Sequence, residues 1–152
     1  MNMRRVAAFL ATLGPIGYLP APGTVATFVT VPFVFWAQSN LTLTQFSLLL
    51  LALSLFSFFI IRYSMSLFKK YDDPSEVVLD EVVGCFITFW GLPLCAPIVI
   101  LGLLLFRFFD ITKLGFIKRL ETVHGAAGIM LDDIAAAIIT NLLLRLVMHA
   151  CL

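Results

Sequence analysis

The stretch LTLTQFSLLLLALSLFSFFII, residues 41–61, decides the fold class of this protein. It carries no Asp, Glu, Lys or Arg, and about 20 apolar helical residues are enough to cross the hydrocarbon core of a bilayer. The sequence therefore predicts a transmembrane helix here. These residues end a longer stretch without such charges, 6–61, and a second uncharged stretch covers residues 82–106.

The overall composition indicates a membrane protein. Of the 152 residues, 61% are hydrophobic and 12% are charged, whereas soluble domains are about half apolar and about a quarter charged. The length predicts a single membrane-embedded domain over residues 1–152. A net charge of +1 gives no basic field for nucleic acid, so we expect none as a partner. The sequence does not indicate an oligomeric state.

Cysteine and the N-terminus suggest neither a disulfide framework nor a cleaved leader. The three cysteines, Cys85, Cys95 and Cys151, lie in apolar surroundings without CxxC spacing, so we interpret them as small buried hydrophobic residues. The first residues, MNMRRVAAFLATLG, resemble a signal peptide but lack a clear cleavage site. We expect this segment to be retained.

Glycine and proline divide the N-terminal half. LGPIGYLPAPGT, residues 13–24, cannot form a regular helix, so we expect a Pro/Gly-rich loop or re-entrant segment. A helix is predicted from about residue 24 to residue 38, and the polar residues 38–40 are predicted to separate it from the helix at 41–61.

The C-terminal half alternates charged and apolar blocks. Pro74 is a predicted break and Ser75 a candidate N-cap for a new helix. Gly91, Pro93 and Pro97 are predicted to divide residues 82–106 into two shorter helices. A glycine-containing turn is expected at 124–128, with a last helix from about residue 129. The predicted fold is all-α: a compact helical bundle embedded in the membrane.

Charged residues cluster in a way that predicts one functional face. All nine acidic residues lie in two windows, 72–81 and 110–133, and basic residues surround the same windows. The positive-inside rule places these windows and the N-terminal arginines on the cytoplasmic side. We therefore predict a multi-pass protein of the inner (cytoplasmic) membrane whose site faces the cytoplasm.

Three groups of charged residues are candidates for that site. Asp80 and Glu81 begin an apolar helix, although a solvated pair at a helix end explains them about as well. FRFFDITK places Arg107, Asp110 and Lys113 on one helical arc, as a phosphate-binding stripe or as a ladder of ion pairs. The third group is the adjacent pair Asp132 and Asp133 in HGAAGIMLDDIAAA, residues 124–137. Burying two ionised carboxylates there would be costly unless cations were paired with them.

The chemistry of these groups favours magnesium and phosphate. Five carboxylates without matching His or Cys suit a hard cation such as Mg²⁺, which substrate phosphate and water usually complete. His124 could donate a proton to a leaving oxygen, or simply form structural hydrogen bonds. The turn before Thr24 offers backbone N–H groups and a hydroxyl to an anion, although Pro-Gly-Thr also forms an ordinary helix cap.

Four motifs together resemble the phosphatidylglycerophosphatase A family: PAPGT at 20–24, LDExxG at 79–84, FRxFDxxK at 106–113 and HGxxGIMxDD at 124–133. The resemblance implies an all-helical, Mg²⁺-dependent phosphatase that hydrolyses phosphatidylglycerophosphate to phosphatidylglycerol during phospholipid synthesis. It assigns the metal ligands by position: Asp80, Glu81, Asp110, Asp132 and Asp133. The chain departs from the family pattern after Thr24, after Lys113 and at Ala126.

The roles expected for these residues leave two questions open. Asp80, Asp132, Asp133 and His124 are the catalytic candidates, and the substrate-binding candidates are Thr24, Arg107 and Lys113. Attack by water and a phosphoaspartyl intermediate are both compatible with this set. A small ion-coupled transporter is the alternative function, although the sequence lacks the repeats that would favour it.

Overall fold

A computed structural model of the protein describes residues 3–68, 74–115, 117–120 and 123–151, and every regular element in these ranges is helical. This confirms the predicted all-α class. The α-helices are α1 (Met3–Ala11), α2 (Pro22–Asn40), α3 (Leu43–Ser64), α4 (Leu79–Thr88), α5 (Ala96–Thr112), α6 (Ile117–Leu120) and α7 (Ala126–Cys151). Short 3-10 helices occupy Ile16–Tyr18 and Met65–Leu67.

The long apolar helix α3 begins at a capping box. The Thr42 hydroxyl accepts a hydrogen bond from the backbone N–H of Gln45, whose side chain accepts one from the backbone N–H of Thr42. Such a box satisfies two N–H groups that the helix itself cannot. The break between α2 and α3 therefore falls at residues 41–42, and the predicted break at 38–40 is wrong because those residues end α2.

Two described helices are long and apolar enough to cross a membrane, judged by length and composition. One runs over Leu43–Leu67, where 17% of an apolar 18-residue window is buried inside the protein, and the other is Ala126–Ala150, where 56% of such a window is buried. The first thus exposes an apolar surface over most of its length. The second packs largely against other helices.

The Pro/Gly-rich segment forms a series of turns ahead of α2. Ala21 adopts a left-handed conformation, with φ of 53°, and Pro22 occupies the first turn of α2. Proline is favoured there because a first-turn N–H has no partner inside the helix. The helix consequently begins two residues before the predicted residue 24.

Helices α4 and α5 form an antiparallel hairpin, which confirms the predicted division of residues 82–106. Glu81 lies near Arg107 at one end of the pair, and Phe89 packs against Gly102 toward the other. The predicted Ser75 cap is wrong. Helix α4 begins only at Leu79, with Val78 as its N-cap, and Ser75 lies in the preceding turn.

The end of α4 is held by two side chains of α7. Asn141 on α7 donates to the carbonyls of Ile87, Thr88 and Trp90 at 3.2, 3.0 and 3.0 Å. Arg145 donates to the Trp90 carbonyl at 2.7 Å. The last carbonyls of a helix lack partners within it, so these bonds allow a ten-residue helix to end inside the protein.

Helix α4 lies at the centre of the bundle and packs against α2, α3, α5 and α7. Helix α5 also packs against α7, and α1 packs against α3. The start of α4, the end of α5 and the first turns of α7 meet at one end of the bundle, where the acidic residues lie. The last helix begins at Ala126, three residues before the predicted start.

Candidate active site

A cavity of about 240 Å³ opens at this end of the bundle. The start of α2, the start of α4, the end of α5 and the second turn of α7 line it, together with Pro74, Ser75 and Val77. The charged residues in its lining are Asp80, Glu81, Arg107, Asp110, Lys113, Asp132 and Asp133. Helix geometry thus brings the three charged groups of the sequence into one cavity.

Three of the five carboxylates form a tight cluster. One oxygen each from Asp80, Glu81 and Asp133 lies within 4.8 Å of the other two. Asp80 Oδ1, Glu81 Oε2 and Asp133 Oδ2 are buried and lack a hydrogen-bond partner within the described ranges. Buried polar atoms rarely remain unpaired, so these oxygens fit the ligand set of a hard divalent cation.

Burial makes the ionised forms of this cluster costly. It raises the pKa of Asp80 well above the ordinary value, and the neighbouring Glu81 carboxylate raises it further. Burial also raises the pKa of Glu81 to about 7, although a hydrogen bond from Asp80 and the nearby positive charge of Arg107 both lower it. A bound cation would remove this cost by stabilising the charged forms.

Arg107 joins two of the acids. Its Nη1 lies 2.7 Å from Asp110 Oδ2 and 3.6 Å from Glu81 Oε1. Arg107 Nε is buried and has no hydrogen-bond partner among the described residues. Asp110 therefore lies beside the three-carboxylate cluster, paired with a guanidinium that retains a donor for an anion.

Lys113 contacts the other remaining acid. It ends α5 in a left-handed conformation, with φ of 45°, and its Nζ lies 2.8 Å from Asp132 Oδ2. Asp132 Oδ1 accepts a hydrogen bond from the backbone N–H of Asp133 at 3.0 Å. The adjacent aspartates thus have different surroundings, as their angular separation of about 100° on a helix requires.

Gly23 contributes to the site in a way that the sequence reasoning missed. A Cβ atom at this position would overlap Glu81 Oε1 and would lie 2.8 Å from Arg107 Nη1. Only glycine lets the start of α2 pack so closely against the Glu81–Arg107 pair. The glycine of PAPGT was the available signal, but its sequence neighbours do not indicate what it contacts.

Two predicted site residues lie elsewhere. Thr24 is half-buried and is not part of the cavity lining. His124 lines a separate cavity of about 500 Å³, together with Arg4 and Arg62. At Gly84, the Phe106 ring packs against the backbone and occupies the space that a Cβ atom would need.

Comparison with known proteins identifies a family. The family described as Phosphatidylglycerophosphatase A matches residues 9–148. A phosphatidylglycerophosphatase A of Escherichia coli K12 is 29% identical over 93% of this chain and 80% of its own length. A Haemophilus influenzae protein of the same name is 41% identical over 43% of this chain and 42% of its own length.

A further relative carries a different name. A Bacteroides thetaiotaomicron protein whose name proposes a phosphatidylinositol-3-phosphatase is 37% identical over 48% of each chain. The chain thus spans about half the length of two of these relatives and four fifths of the third. No solved structure matches it.

Proposed function

The chain belongs to the phosphatidylglycerophosphatase A family, a family of phosphatases, and we propose that it hydrolyses phosphatidylglycerophosphate to phosphatidylglycerol and phosphate. The observation that carries the proposal is that two basic side chains line the same cavity as the three-carboxylate cluster. Asp80, Glu81 and Asp133 present unpaired oxygens, and Arg107 and Lys113 line the same cavity. Carboxylates for a metal beside cations for a phosphate are what a phosphomonoesterase requires.

The cofactor in this proposal is Mg²⁺, held by Asp80, Glu81 and Asp133. When bound, it would polarise the phosphoryl group and lower the pKa of an attacking water. Arg107 and Lys113 neutralise the phosphoryl oxygens as negative charge spreads over them. Asp132 holds Lys113 in place through their ion pair, and Asp110 does the same for Arg107. Both acids were predicted as metal ligands, and we now propose them as positioning residues.

The proposed nucleophile acts in the cavity of the carboxylates, whereas the predicted proton donor lines the other cavity. Water is the proposed nucleophile, because each of the three clustered acids has an oxygen free for the cation. A covalent phosphoaspartyl route would need one of these carboxylates for attack. His124 remains a predicted proton donor, although it lines the other cavity. Its replacement by Gln would leave the alkaline side of the pH–rate profile unchanged if it has no such role.

The substrate is proposed to reach the site from the membrane. The two apolar helices favour a membrane protein, and the basic residues around the acidic windows favour a multi-pass arrangement with the site on the cytoplasmic face of the inner membrane. The lipid's acyl chains would then remain in the bilayer while its headgroup enters the cavity. Family membership gives no support to the alternative of an ion-coupled transporter.

Phosphate release from purified protein tests the proposal. The protein in neutral detergent is given phosphatidylglycerophosphate with Mg²⁺ or with EDTA, and phosphatidylinositol 3-phosphate serves as the second substrate. We expect Mg²⁺-dependent release, faster from the first lipid, and a loss of at least about 100-fold for Asp133→Asn. Glu76→Gln is the matched control, since Glu76 does not line the cavity.

Two outcomes would overturn this assignment. Phosphate release that persists undiminished in EDTA would remove the metal from the mechanism. Equal activity of Asp133→Asn and Glu76→Gln would remove the carboxylate cluster from it. Faster release from phosphatidylinositol 3-phosphate would change the substrate while leaving the proposed chemistry intact.

A further inference from the structure

A groove of about 540 Å³ lies among four parts of the bundle: the end of α1 with the turns after it, α2, α3 and α4. Apart from Gly14 and Thr30, every side chain in its lining is a hydrocarbon. The Thr30 hydroxyl donates to the Ala26 carbonyl of its own helix at 2.7 Å, so it is already used within α2. The apolar groove, as we call it, therefore suits a ligand that makes no hydrogen bonds.

The apolar groove is concave, with a buried floor and an open side. Thr30 and Phe86 are its most buried lining residues, whereas Phe9, Phe33 and Leu49 are exposed at its rim. Helix α4 packs against both α2 and α3 and thereby supplies the floor between them. Binding sites for small ligands are usually concave, largely apolar and of about 300–1,000 Å³. The groove meets these criteria, in contrast to the outer face of α3.

Two helices connect the apolar groove with the acid-lined cavity. On α2, Gly23 lines the cavity and Thr30 lines the groove. Seven residues are nearly two helical turns, so these two residues lie on the same side of α2, about 10 Å apart along its axis. On α4, Glu81 lines the cavity and the next residue, Val82, lines the groove. The groove therefore begins beside the cavity and extends away from it along α2.

This arrangement favours an acyl chain of the substrate as the occupant. The proposed substrate carries its terminal phosphate and its acyl chains on one molecule, joined by glycerol units. If the phosphate lies near Arg107 and Lys113, the chains must leave the acid-lined cavity, and the groove is an apolar surface that adjoins it on two helices. A separate lipid or a partner helix would fill the groove without making use of that connection.

Close packing is what the apolar groove offers such a chain. In hydrocarbon surroundings an acyl chain gains little from the hydrophobic effect, and association depends on van der Waals contact. A buried floor flanked by Phe9 and Phe33 surrounds a chain on several sides, which the outward-facing side chains of α3 do not. A chain held in this way would also fix the position of the headgroup to which it is joined.

We propose that the apolar groove binds one acyl chain of the phospholipid whose terminal phosphate occupies the acid-lined cavity. The proposal rests on the hydrolytic function proposed above, because it concerns the same substrate. The chain remains at the level of the bilayer hydrocarbon, in contact with protein on one side. The groove thus makes turnover depend on acyl-chain length.

Turnover of a long-chain and a short-chain substrate tests this dependence. Phosphate release is measured with Mg²⁺ from dioleoyl and from dihexanoyl phosphatidylglycerophosphate, each at a fixed mole fraction in neutral detergent. The readout is the ratio of kcat/KM for the long-chain lipid to that for the short-chain lipid. A ratio compares the two lipids within one protein, so a general loss of activity or stability does not change it.

The decisive variant is Val29→Trp, which places a large side chain in the groove. Its matched control is Val147→Trp on α7, because Val29 and Val147 are 42% and 41% exposed and only Val29 lines the groove. We expect Val29→Trp to lower the ratio by at least about tenfold, since a displaced long chain moves the phosphate away from the carboxylates. Val147→Trp should change it by less than about twofold. If Val29→Trp does not fold, Val29→Phe and Val147→Phe replace the pair.

Photolabelling locates the chain without turnover. Phosphatidylglycerol with a diazirine at the middle of one acyl chain is irradiated with the protein, and mass spectrometry maps the labelled residues. Leu49 and Leu53 line the groove, whereas Leu51 and Leu55 lie on the same helix outside it and are 57% and 52% exposed. We expect more label on the first pair, although lipid that merely surrounds the protein would favour the more exposed second pair.

The two measurements separate this proposal from the function on which it rests. Equal ratios in Val29→Trp and Val147→Trp, with activity in both, would overturn the groove and leave the phosphatase assignment intact. Phosphate release from neither lipid by the wild-type protein would overturn the proposed function, and the labelling would then decide the groove alone. Label concentrated on Leu51 and Leu55 would show that the groove holds no acyl chain.

Discussion

Lys113 Nζ lies 2.8 Å from Asp132 Oδ2, and this ion pair ties the end of α5 to the second turn of α7. Asp133, the next residue, instead joins Asp80 and Glu81 in the three-carboxylate cluster. Two chemically identical neighbours therefore have different surroundings. We therefore propose different roles for them. Asp133 binds the metal, and Asp132 positions Lys113, which binds the phosphate.

Replacing each aspartate by asparagine separates these roles. Asp133→Asn should abolish the rise in unfolding temperature on adding Mg²⁺, because it removes a ligand oxygen. Asp132→Asn should keep that rise but increase KM for the lipid several-fold, because Lys113 loses its anchor. Kinetics and thermal unfolding of both variants, with and without Mg²⁺, measure the difference. A loss of the Mg²⁺ effect in Asp132→Asn would make Asp132 a ligand after all.

A double-mutant cycle checks the ion pair itself. Lys113→Met and Asp132→Asn should be non-additive in kcat/KM by about 0.5–3 kcal/mol, as expected for residues in contact. Glu76→Gln combined with Lys113→Met is the control pair and should be additive within about 0.5 kcal/mol. Additivity of the Lys113 and Asp132 variants would mean that the pair does not act as a unit in turnover.

The sequence predicted the helical class and the acidic residues of the cavity. It did not predict how far apart those acidic residues lie. Helical periodicity fixes the direction of Asp132 and Asp133 around α7, but the distance from Asp133 to Asp80 depends on how α4 packs against α7. The prediction that Arg107, Asp110 and Lys113 share one helical arc is wrong for Lys113. Lys113 ends the helix in a left-handed conformation and reaches across to α7.

The sequence pattern also did not predict where α4 begins or that the site residues line two separate cavities. Pro74 and Ser75 indicated a helix start, but α4 begins four residues later, at Leu79, because tertiary packing overrides a local cap signal. His124 is eight residues before Asp132 in the sequence, and the pattern did not show that the two residues line separate cavities. Such separation arises only when several helices pack together.

Gly23→Ala tests the close contact between α2 and the acid pair. A methyl group there would overlap Glu81 Oε1, so the carboxylate must move away from the metal site. We expect activity to fall by at least about tenfold with weaker Mg²⁺ stabilisation. Gly102→Ala is the control, since its methyl group would meet the Phe89 ring at 2.5 Å, away from the acids.

These two glycine variants should differ in kind as well as in size. Both are expected to lower the unfolding temperature, because both force packed atoms apart. Only Gly23→Ala should also raise the Mg²⁺ concentration needed for half-maximal activity. Equal Mg²⁺ requirements in the two variants would show that Gly23 serves packing alone.

The metal-free protein should lose stability as pH rises. The pKa of Glu81 is about 7 in the folded state against an ordinary value of 4.5, so the folded protein holds a proton that the unfolded chain releases across this range. Stability then falls between about pH 4.5 and pH 7. Asp80 shifts in the same direction. Thermal unfolding in EDTA across this range measures the slope.

Glu81→Gln gives the matching control for that slope. Glutamine carries no proton to lose, so the variant should show a flatter dependence on pH, by an amount on the order of 2 kcal/mol across the range. Mg²⁺ should flatten the wild-type curve as well, because the cation stabilises the ionised carboxylates. A wild-type stability that rises with pH in EDTA would contradict the burial of this cluster.

Asn141 provides a test of stability that leaves the chemistry untouched. Its Nδ2 donates to three carbonyls at the end of α4, and Arg145 Nε donates to its Oδ1 at 2.8 Å. Asn141→Leu leaves those carbonyls with fewer partners in an apolar setting, at a cost of about 1–3 kcal/mol. Asn40→Leu is the control, because exposed Asn40 donates only to the Trp36 carbonyl in the described structure.

The expected result is a lower unfolding temperature for Asn141→Leu with unchanged KM and Mg²⁺ requirement. This follows because the end of α4 lies about 15 Å from its start, at about 1.5 Å per residue over ten residues. The start of α4 carries Asp80 and Glu81, and the packing of α4 against α7 and α2 keeps it in place. A changed Mg²⁺ requirement would mean instead that the far end of α4 sets the geometry of the carboxylate cluster.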